Sequence, residues 1–311
     1  MKTRRAAATP RSTEGMFIFH SLLAALALLN ETKEIAPGVY MHRISMGTCC
    51  GSDTTGVPGW IAAGGRGFDS AYDYGKQVSG GLQSDLAIAI AKAGMRREDV
   101  FITTKIPAGL GVSPEDCLKA TVESTVEEVK RDLTELNTTY VDLILLHAPC
   151  PGGSEKNAIL WKGLEEAKAQ GLVRSIGVSN YKVPELTALL STATVVPAVN
   201  QCGCSVQKHD DETIAFCQSH NITYEAYDIM KGCPFDDATV KSIAAAHSKT
   251  AAQVCLRWAL QRDIVVATGT GTDPTKAVEY AKEDLDVYDF ELTPAEMDTL
   301  NGLGEAQSEL A

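Results

Sequence analysis

Gly67-Phe68-Asp69-Ser70-Ala71-Tyr72-Asp73-Tyr74-Gly75 is the stretch on which the fold turns. A short apolar strand runs out at Asp69, and Gly75 closes the turn that follows it. Asp69 and Tyr74 are two ionisable side chains five residues apart, both left at the mouth of such a strand end. Alone, the stretch reads equally well as an acidic surface loop bearing tyrosines. Other strands decide between the two, because they end in matching chemistry. Lys105 follows the run Phe101-Ile102-Thr103-Thr104, where a charged head must find a partner or lose its charge. His147 follows Leu143-Ile144-Leu145-Leu146, and Ser179-Asn180, Gln201 and Tyr227 close three further runs. Each has a bland reading as a surface lysine, a core histidine, a turn cap or a packing tyrosine. Polar groups of complementary type at six successive strand ends are not explained that way.

Worked outward, the pattern repeats along the chain. β-Rich runs fall at residues 43–48, 67–70, 100–105, 141–147, 173–179, 195–201, 222–227 and 264–267. Helical periodicity occupies residues 82–93, 113–133, 155–170, 184–190, 212–219 and 250–261, with Ser113-Pro114 reading as a helix start. Eight strands with helical crossovers predict an α/β fold, a (β/α)8 TIM barrel, because right-handed crossovers place every helix outside. An open doubly wound sheet is the alternative, but no G-x-G-x-x-G turn follows the first strand. No linker divides residues 31–311, which form a single domain. A barrel collects its active site at the C-terminal ends of its strands, where the polar residues named above lie.

The formal net charge of −12 argues against nucleic acid or an anionic membrane as partner. The nine cysteines, an odd number, mostly fall inside expected elements rather than at the spacings of a disulfide framework, so reduced thiols are expected. Cys202-Gly203-Cys204 has no CxxC or histidine partner at ligand spacing, and no metal site is expected. Residues 1–30 differ from the rest: Lys2, Arg4, Arg5 and Arg11 precede an apolar stretch over residues 16–29, interrupted by His20 and Ser21. This N-terminal extension reads either as a targeting segment or as an amphipathic helix. A cytoplasmic monomer is expected, with a secretory or membrane-associated location as the alternative.

Phe68 to Gly75, Ile102-Thr103-Thr104-Lys105, Leu145-Leu146-His147-Ala148-Pro149 and Ser175-Ile176-Gly177-Val178-Ser179-Asn180 together resemble the aldo-keto reductases. Asn200-Gln201, Ala251-Ala252-Gln253-Val254 and Leu256-Arg257-Trp258-Ala259-Leu260-Gln261 extend the resemblance over roughly residues 44–303. It implies a catalytic tetrad of Asp69, Tyr74, Lys105 and His147, and NAD(P)H-dependent reduction of an aldehyde or ketone without a metal. Tyr74 would be the general acid, and an ammonium at Lys105 would favour its ionisation. The resemblance also implies Ser179, Asn180 and Gln201 at the carboxamide of the nicotinamide and Tyr227 stacked on its ring. Thr48, Gly269, Thr270, Lys276 and Glu279 complete the expected cofactor contacts.

Three departures from the family pattern carry expectations of their own. The lysine that usually follows the eighth strand aligns with Gly269, and the arginine that grips the 2'-phosphate of NADPH aligns with Lys276. Lysine lacks the bidentate fork of arginine, so NADPH remains the expected cofactor with weakened preference and NADH becomes acceptable. Thr268 to Thr272 reads as a flexible loop, or as a cradle offering backbone amides to phosphate. Asp228 stands where a serine usually follows the stacking tyrosine. The usual pocket tryptophans align with Cys49, Pro107 and Ala148, so an open and permissive substrate site is expected. The competing reading is a catalytically weak or inactive nucleotide-binding barrel that serves regulation or partner binding.

Overall fold

The computed structural model describes residues 31–75, 81–109 and 114–308. Segment 1–30 and the helix start at Ser113 lie outside the described residues. Ten strands and ten α-helices are described. The strands are β1 (Thr32–Ala36), β2 (Val39–His42), β3 (Ile44–Gly47), β4 (Gly67–Asp69), β5 (Phe101–Ile106), β6 (Val141–Leu146), β7 (Val173–Ser179), β8 (Val199–Gly203), β9 (Thr223–Tyr227) and β10 (Val265–Gly269). Among the helices are α1 (Val57–Ala62), α2 (Leu82–Lys92), α3 (Val122–Glu135), α4 (Gly153–Ala169), α5 (Val183–Leu190) and α6 (Asp211–Ser219). The remainder are α7 (Ala238–Ala246), α8 (Ala251–Gln261), α9 (Pro274–Leu285) and α10 (Pro294–Ser308).

Strands β3 to β10 close into a parallel barrel in chain order, with β10 pairing both β9 and β3. This is the expected (β/α)8 architecture. Strands β5 and β6 are buried at every position, which is why they read as near-continuous apolar runs. The antiparallel pair β1–β2 is an addition that short alternating segments did not announce. Its Ile35, Val39 and Met41 pack with Phe101, Leu143, Leu145, Val199 and Val265, so the hairpin seals the N-terminal end of the barrel. The opposite end is left for the site.

Two expected elements shift. The helix expected over residues 113–133 is broken: a 3-10 segment, Pro114–Lys119, precedes α3, and Thr121 and Ser124 form a reciprocal capping box at its start. The strand expected from residue 195 begins at Val199, after Pro197, which has no N–H to give to a ladder.

The expectation of reduced thiols is corrected. Cys117–Cys150, Cys233–Cys255 and the adjacent Cys49–Cys50 are disulfides, and Cys202, Cys204 and Cys217 are free and buried. Cys117 follows β5 and Cys150 follows β6, so neighbouring loops bring their Cα atoms to 6.0 Å across 33 residues of chain. Sequence spacing carries no trace of that proximity. No helix among the described residues is long and apolar enough to cross a membrane.

Candidate active site

Asp69 ends β4 and Lys105 sits one residue before the end of β5, and both side chains point into the barrel mouth. Lys105 Nζ donates to Asp69 Oδ1 at 2.7 Å, to Asp69 Oδ2 at 2.8 Å and to the Ser70 carbonyl at 3.0 Å. Lys105 is 0% exposed and Asp69 4% exposed, so the pair is sealed from water. Burial acts to lower the Lys105 pKa, but Asp69, with Tyr74 and Glu225, outweighs it and holds the ammonium above its ordinary value.

Tyr74 lies over this pair, with Lys105 Nζ 5.0 Å from its ring centre. Its phenol is pushed up to about 12, first by burial and then by Asp69 and Asp73, while Lys105 pulls the other way. The net direction differs from the expected lowering by the ammonium: desolvation outweighs it. His147, after β6, meets the Tyr74 ring edge-on at 5.5 Å, and its Nδ1 lies 3.2 Å from Asp73 Oδ1. Asp73 was not among the residues given a role from sequence, although it stands in the opening stretch.

β7 and β8 supply the next groups. Asn180 adopts a left-handed backbone (φ 63°), a conformation that asparagine tolerates better than most residues. Its Nδ2 donates to the His147 carbonyl at 3.0 Å and to Ser179 Oγ at 3.1 Å, and its Oδ1 accepts from Tyr227 OH at 2.7 Å. Gln201 Nε2 donates to Asp69 Oδ2 and to Glu225 Oε2, both at 2.9 Å. Thr48 is wholly buried and supports from beneath, its hydroxyl donating to the Asp69 carbonyl at 3.2 Å and sharing a hydrogen bond with the Ser70 hydroxyl at 3.1 Å.

A cavity of about 860 Å³ opens above these groups. Asp69, Tyr74, His147, Ser179, Asn180, Gln201, Tyr227 and Gly269 line it, so eight of the expected site residues meet in one place. Lys105 and Thr48 lie below its floor, and Thr270 is buried behind its wall. Lys276 and Glu279 are exposed on α9 and do not line it; Tyr280, Glu283 and Asp284 of the same helix do. Gly269 has a positive role as well as a lost side chain. A Cβ there would meet Ser52 Oγ at 2.4 Å, and Ser52 Oγ accepts from the Gly271 amide at 2.8 Å. The loop after β3 is thus tied to the loop after β10.

The fit of this cavity to a nicotinamide dinucleotide differs between its two ends. Near Tyr74 it offers amide and aromatic groups suited to a flat carboxamide-bearing ring. Near α9 it offers Tyr280, Glu283 and Asp284, and Lys231, the one lysine or arginine among the described lining residues, is paired to Asp228 at 2.8 Å. Burial pushes the Asp284 carboxyl up to about 8, against the hydrogen bond it accepts from Thr268 Oγ1 at 3.1 Å. Among the described residues lining the cavity, no unpaired lysine or arginine faces that end.

Comparison with known proteins agrees with the barrel architecture. The family model described as "Aldo/keto reductase family" matches residues 57–305. An aldo-keto reductase of Mycolicibacterium paratuberculosis is 33% identical over 285 residues, covering 91% of each chain. The glyoxal reductase of Bacillus subtilis is 32% identical over 89% of this chain and 94% of its own. The crystal structure of an aldo/keto reductase from Brucella melitensis superposes with a TM-score of 0.75 at 30% identity, covering 88% of this chain and 98% of that one. A barrel closed in this order, with an aspartate–lysine pair buried under a tyrosine and a histidine facing it, belongs to the aldo/keto reductase family.

Proposed function

We propose that the protein reduces aldehydes or ketones to alcohols with a nicotinamide dinucleotide, Tyr74 acting as general acid. The observation that carries this reading is the sealed Asp69–Lys105 pair beneath Tyr74, with His147 across the same cavity. Reduction of a carbonyl requires a proton donor where negative charge develops on oxygen. A phenol held at about 12 stays protonated through neutral pH, as a donor must. The Lys105 ammonium, kept charged by Asp69, offsets charge left on the phenol oxygen as its proton departs. His147 steers the carbonyl toward Tyr74. Ser179, Asn180 and Gln201 would hold the carboxamide, Tyr227 would pack on the ring, and a bound NADPH or NADH would supply the hydride. The oxidising direction would need the phenolate, which burial disfavours, so alcohol oxidation should require a higher pH than carbonyl reduction.

The α9 end of the cavity supports weak discrimination between the cofactors, and a preference for the one without a 2'-phosphate. That same end favours the second reading, a nucleotide-binding barrel with little catalysis, because no unpaired lysine or arginine among the described lining residues is set to hold a phosphate group there. Small-residue replacements at the mouth, with Cys49 in the lining, support a permissive carbonyl site. The three disulfides fit the secretory alternative for location better than the cytoplasmic one.

The deciding experiment follows oxidation of NADH and NADPH with aromatic, aliphatic and sugar-derived carbonyls and with glyoxal, for the wild type and Tyr74→Phe. Turnover that disappears in Tyr74→Phe while dinucleotide binding persists supports the reductase. Dinucleotide binding without turnover of any carbonyl supports the second reading.

A further inference from the structure

Glu225 is a buried carboxyl that the reaction outlined above does not use. It lies on β9, two residues before Tyr227, and is 0% exposed. Its Oε2 accepts from Gln201 Nε2 at 2.9 Å, while Oε1 is buried with no hydrogen-bond partner. A buried carboxylate with one oxygen unpaired carries a large desolvation penalty, whereas the neutral acid carries much less. The titratable groups facing it are Asp69 from β4 and Lys105 from β5. On the flanking strands its register neighbours are Gln201 of β8 and Val265 of β10, neither of which ionises.

Gln201 connects this carboxyl to the catalytic pair. Its one nitrogen bridges Asp69 Oδ2 and Glu225 Oε2, both at 2.9 Å. Ionised Asp69 can only accept, so the amide nitrogen is held inward and the Gln201 carbonyl is left to face the cavity. Asp69, Lys105 and a neutral Glu225 sum to zero charge inside the closed barrel. Ionised Glu225 makes the sum −1, with Lys105 the single cation among the three.

We propose that Glu225 is a positioning residue of the proton-delivery site, acting through Gln201 and Asp69, and that its protonation sets the alkaline limit of carbonyl reduction. The inference rests on the reductase reading given above. Burial, and then the Asp69 charge, push the Glu225 carboxyl up to about 8, against the Gln201 hydrogen bond and Lys105. Below that value the neutral acid leaves the Asp69–Lys105 pair balanced. Above it, the added negative charge makes Tyr74 a weaker acid and slows protonation of the carbonyl oxygen.

The test compares the wild type with Glu225→Gln, which keeps an acceptor for Gln201 and cannot ionise. Carboxyl infrared difference spectra are recorded across pH without substrate, both forms carrying Asp284→Asn to remove the other carboxyl pushed up to about 8, and kcat and KM for reduction are followed from pH 6 to 10. Expected is a protonated-carboxyl band that titrates near pH 8 in the wild type and is missing in Glu225→Gln. Wild-type kcat should fall about tenfold between pH 7 and 10, and Glu225→Gln should hold its plateau over that range, since Tyr74 stays protonated throughout it. KM for the dinucleotide should change little in Glu225→Gln at pH 7. Superimposable kcat profiles, or a wild-type carboxyl already ionised at pH 6.5, overturn the proposal and leave the reductase reading standing. If Glu225→Gln does not fold, the titration of Asp284→Asn alone decides, because it removes the other carboxyl pushed up to about 8: carboxyl bands that do not move between pH 6.5 and 9.5 overturn it. A wild type that binds NADH but reduces no carbonyl overturns the reductase reading, and this proposal with it.

Discussion

Asp73 Oδ1 lies 3.2 Å from His147 Nδ1, both side chains nearly buried, so one nitrogen of the imidazole is committed to a carboxylate and Nε2 is turned to the cavity. The ring's direction therefore depends on Asp73, whose charge also helps to raise the Tyr74 phenol. Asp73→Ala should let the ring turn and lose the carbonyl's approach. The expected outcome is a drop in kcat/KM of about tenfold or more, with dinucleotide affinity unchanged, because misplacement of one orienting group costs on that scale. Steady-state kinetics beside a fluorescence titration of NADH check both halves. A variant with unaltered kcat/KM would show that His147 needs no such support.

The α9 face predicts cofactor choice. Tyr280, Glu283 and Asp284 meet the cavity, and Lys276 does not. Wild type should bind NADH at least as tightly as NADPH. Tyr280→Arg places a guanidinium on the same face and should shift the affinity ratio toward NADPH by on the order of tenfold, since arginine pairs phosphate bidentately. Calorimetric titration with ADP-ribose and its 2'-phosphate measures the preference without any turnover. Tighter binding of the phosphorylated ligand by the wild type would reject it.

How much of this was open to sequence reading follows from where each signal resides. Lys105 and His147 were legible because an apolar run ending in an ionisable group is a local pattern, and a barrel turns strand ends into a shared mouth. Gln201 was legible as a strand end, but its bond to Glu225 was not, because that needs the register of β8 on β9. The family resemblance placed part of the expected cofactor contact at Lys276 and Glu279. Those two side chains do not line the cavity, whereas residues 280, 283 and 284 of α9 do. Spacing of four residues along one helix face is the signal that would have pointed to Tyr280 and Asp284 as a pair. Disulfide partners such as Cys233 and Cys255 meet through tertiary packing alone.

Buried Asp284 makes a prediction about stability. Its carboxyl is raised from an ordinary value of 3.8 to about 8, chiefly by burial. An unfolded chain ionises this group near its ordinary value while the folded protein keeps the proton. The associated stability is full below the unfolded pKa and is lost as pH rises toward the folded value. Asp284→Asn can still accept from Thr268 and has no charge to lose. Its melting temperature should exceed that of the wild type at pH 8, with the gap narrowing toward pH 4. On the linkage relation the gain is of the order of a few kcal/mol at most. Calorimetric scans at both pH values test the sign; a gap that widens on acidification refutes the assignment.

The two long-range disulfides make the last prediction, and it concerns the loops that carry the site. Cys150 lies three residues after His147, and Cys117 joins it to the segment that follows β5. Cys255 on α8 holds Cys233 in the loop that also supplies Lys231 and Phe235 to the cavity. The closed stretches span 33 and 22 residues, for which loop-closure entropy gives about 3 kcal/mol each. Reduction should therefore lower the denaturation midpoint by an amount equivalent to several kcal/mol. It should also raise KM more than it lowers kcat, because the Asp69–Lys105 pair sits on strands rather than loops. Alkylation of the unfolded, unreduced protein should label three cysteines, Cys202, Cys204 and Cys217, and full labelling after reduction should reach nine. Nine labels before reduction would mean that the loops are held by packing alone, and the KM effect should then be absent.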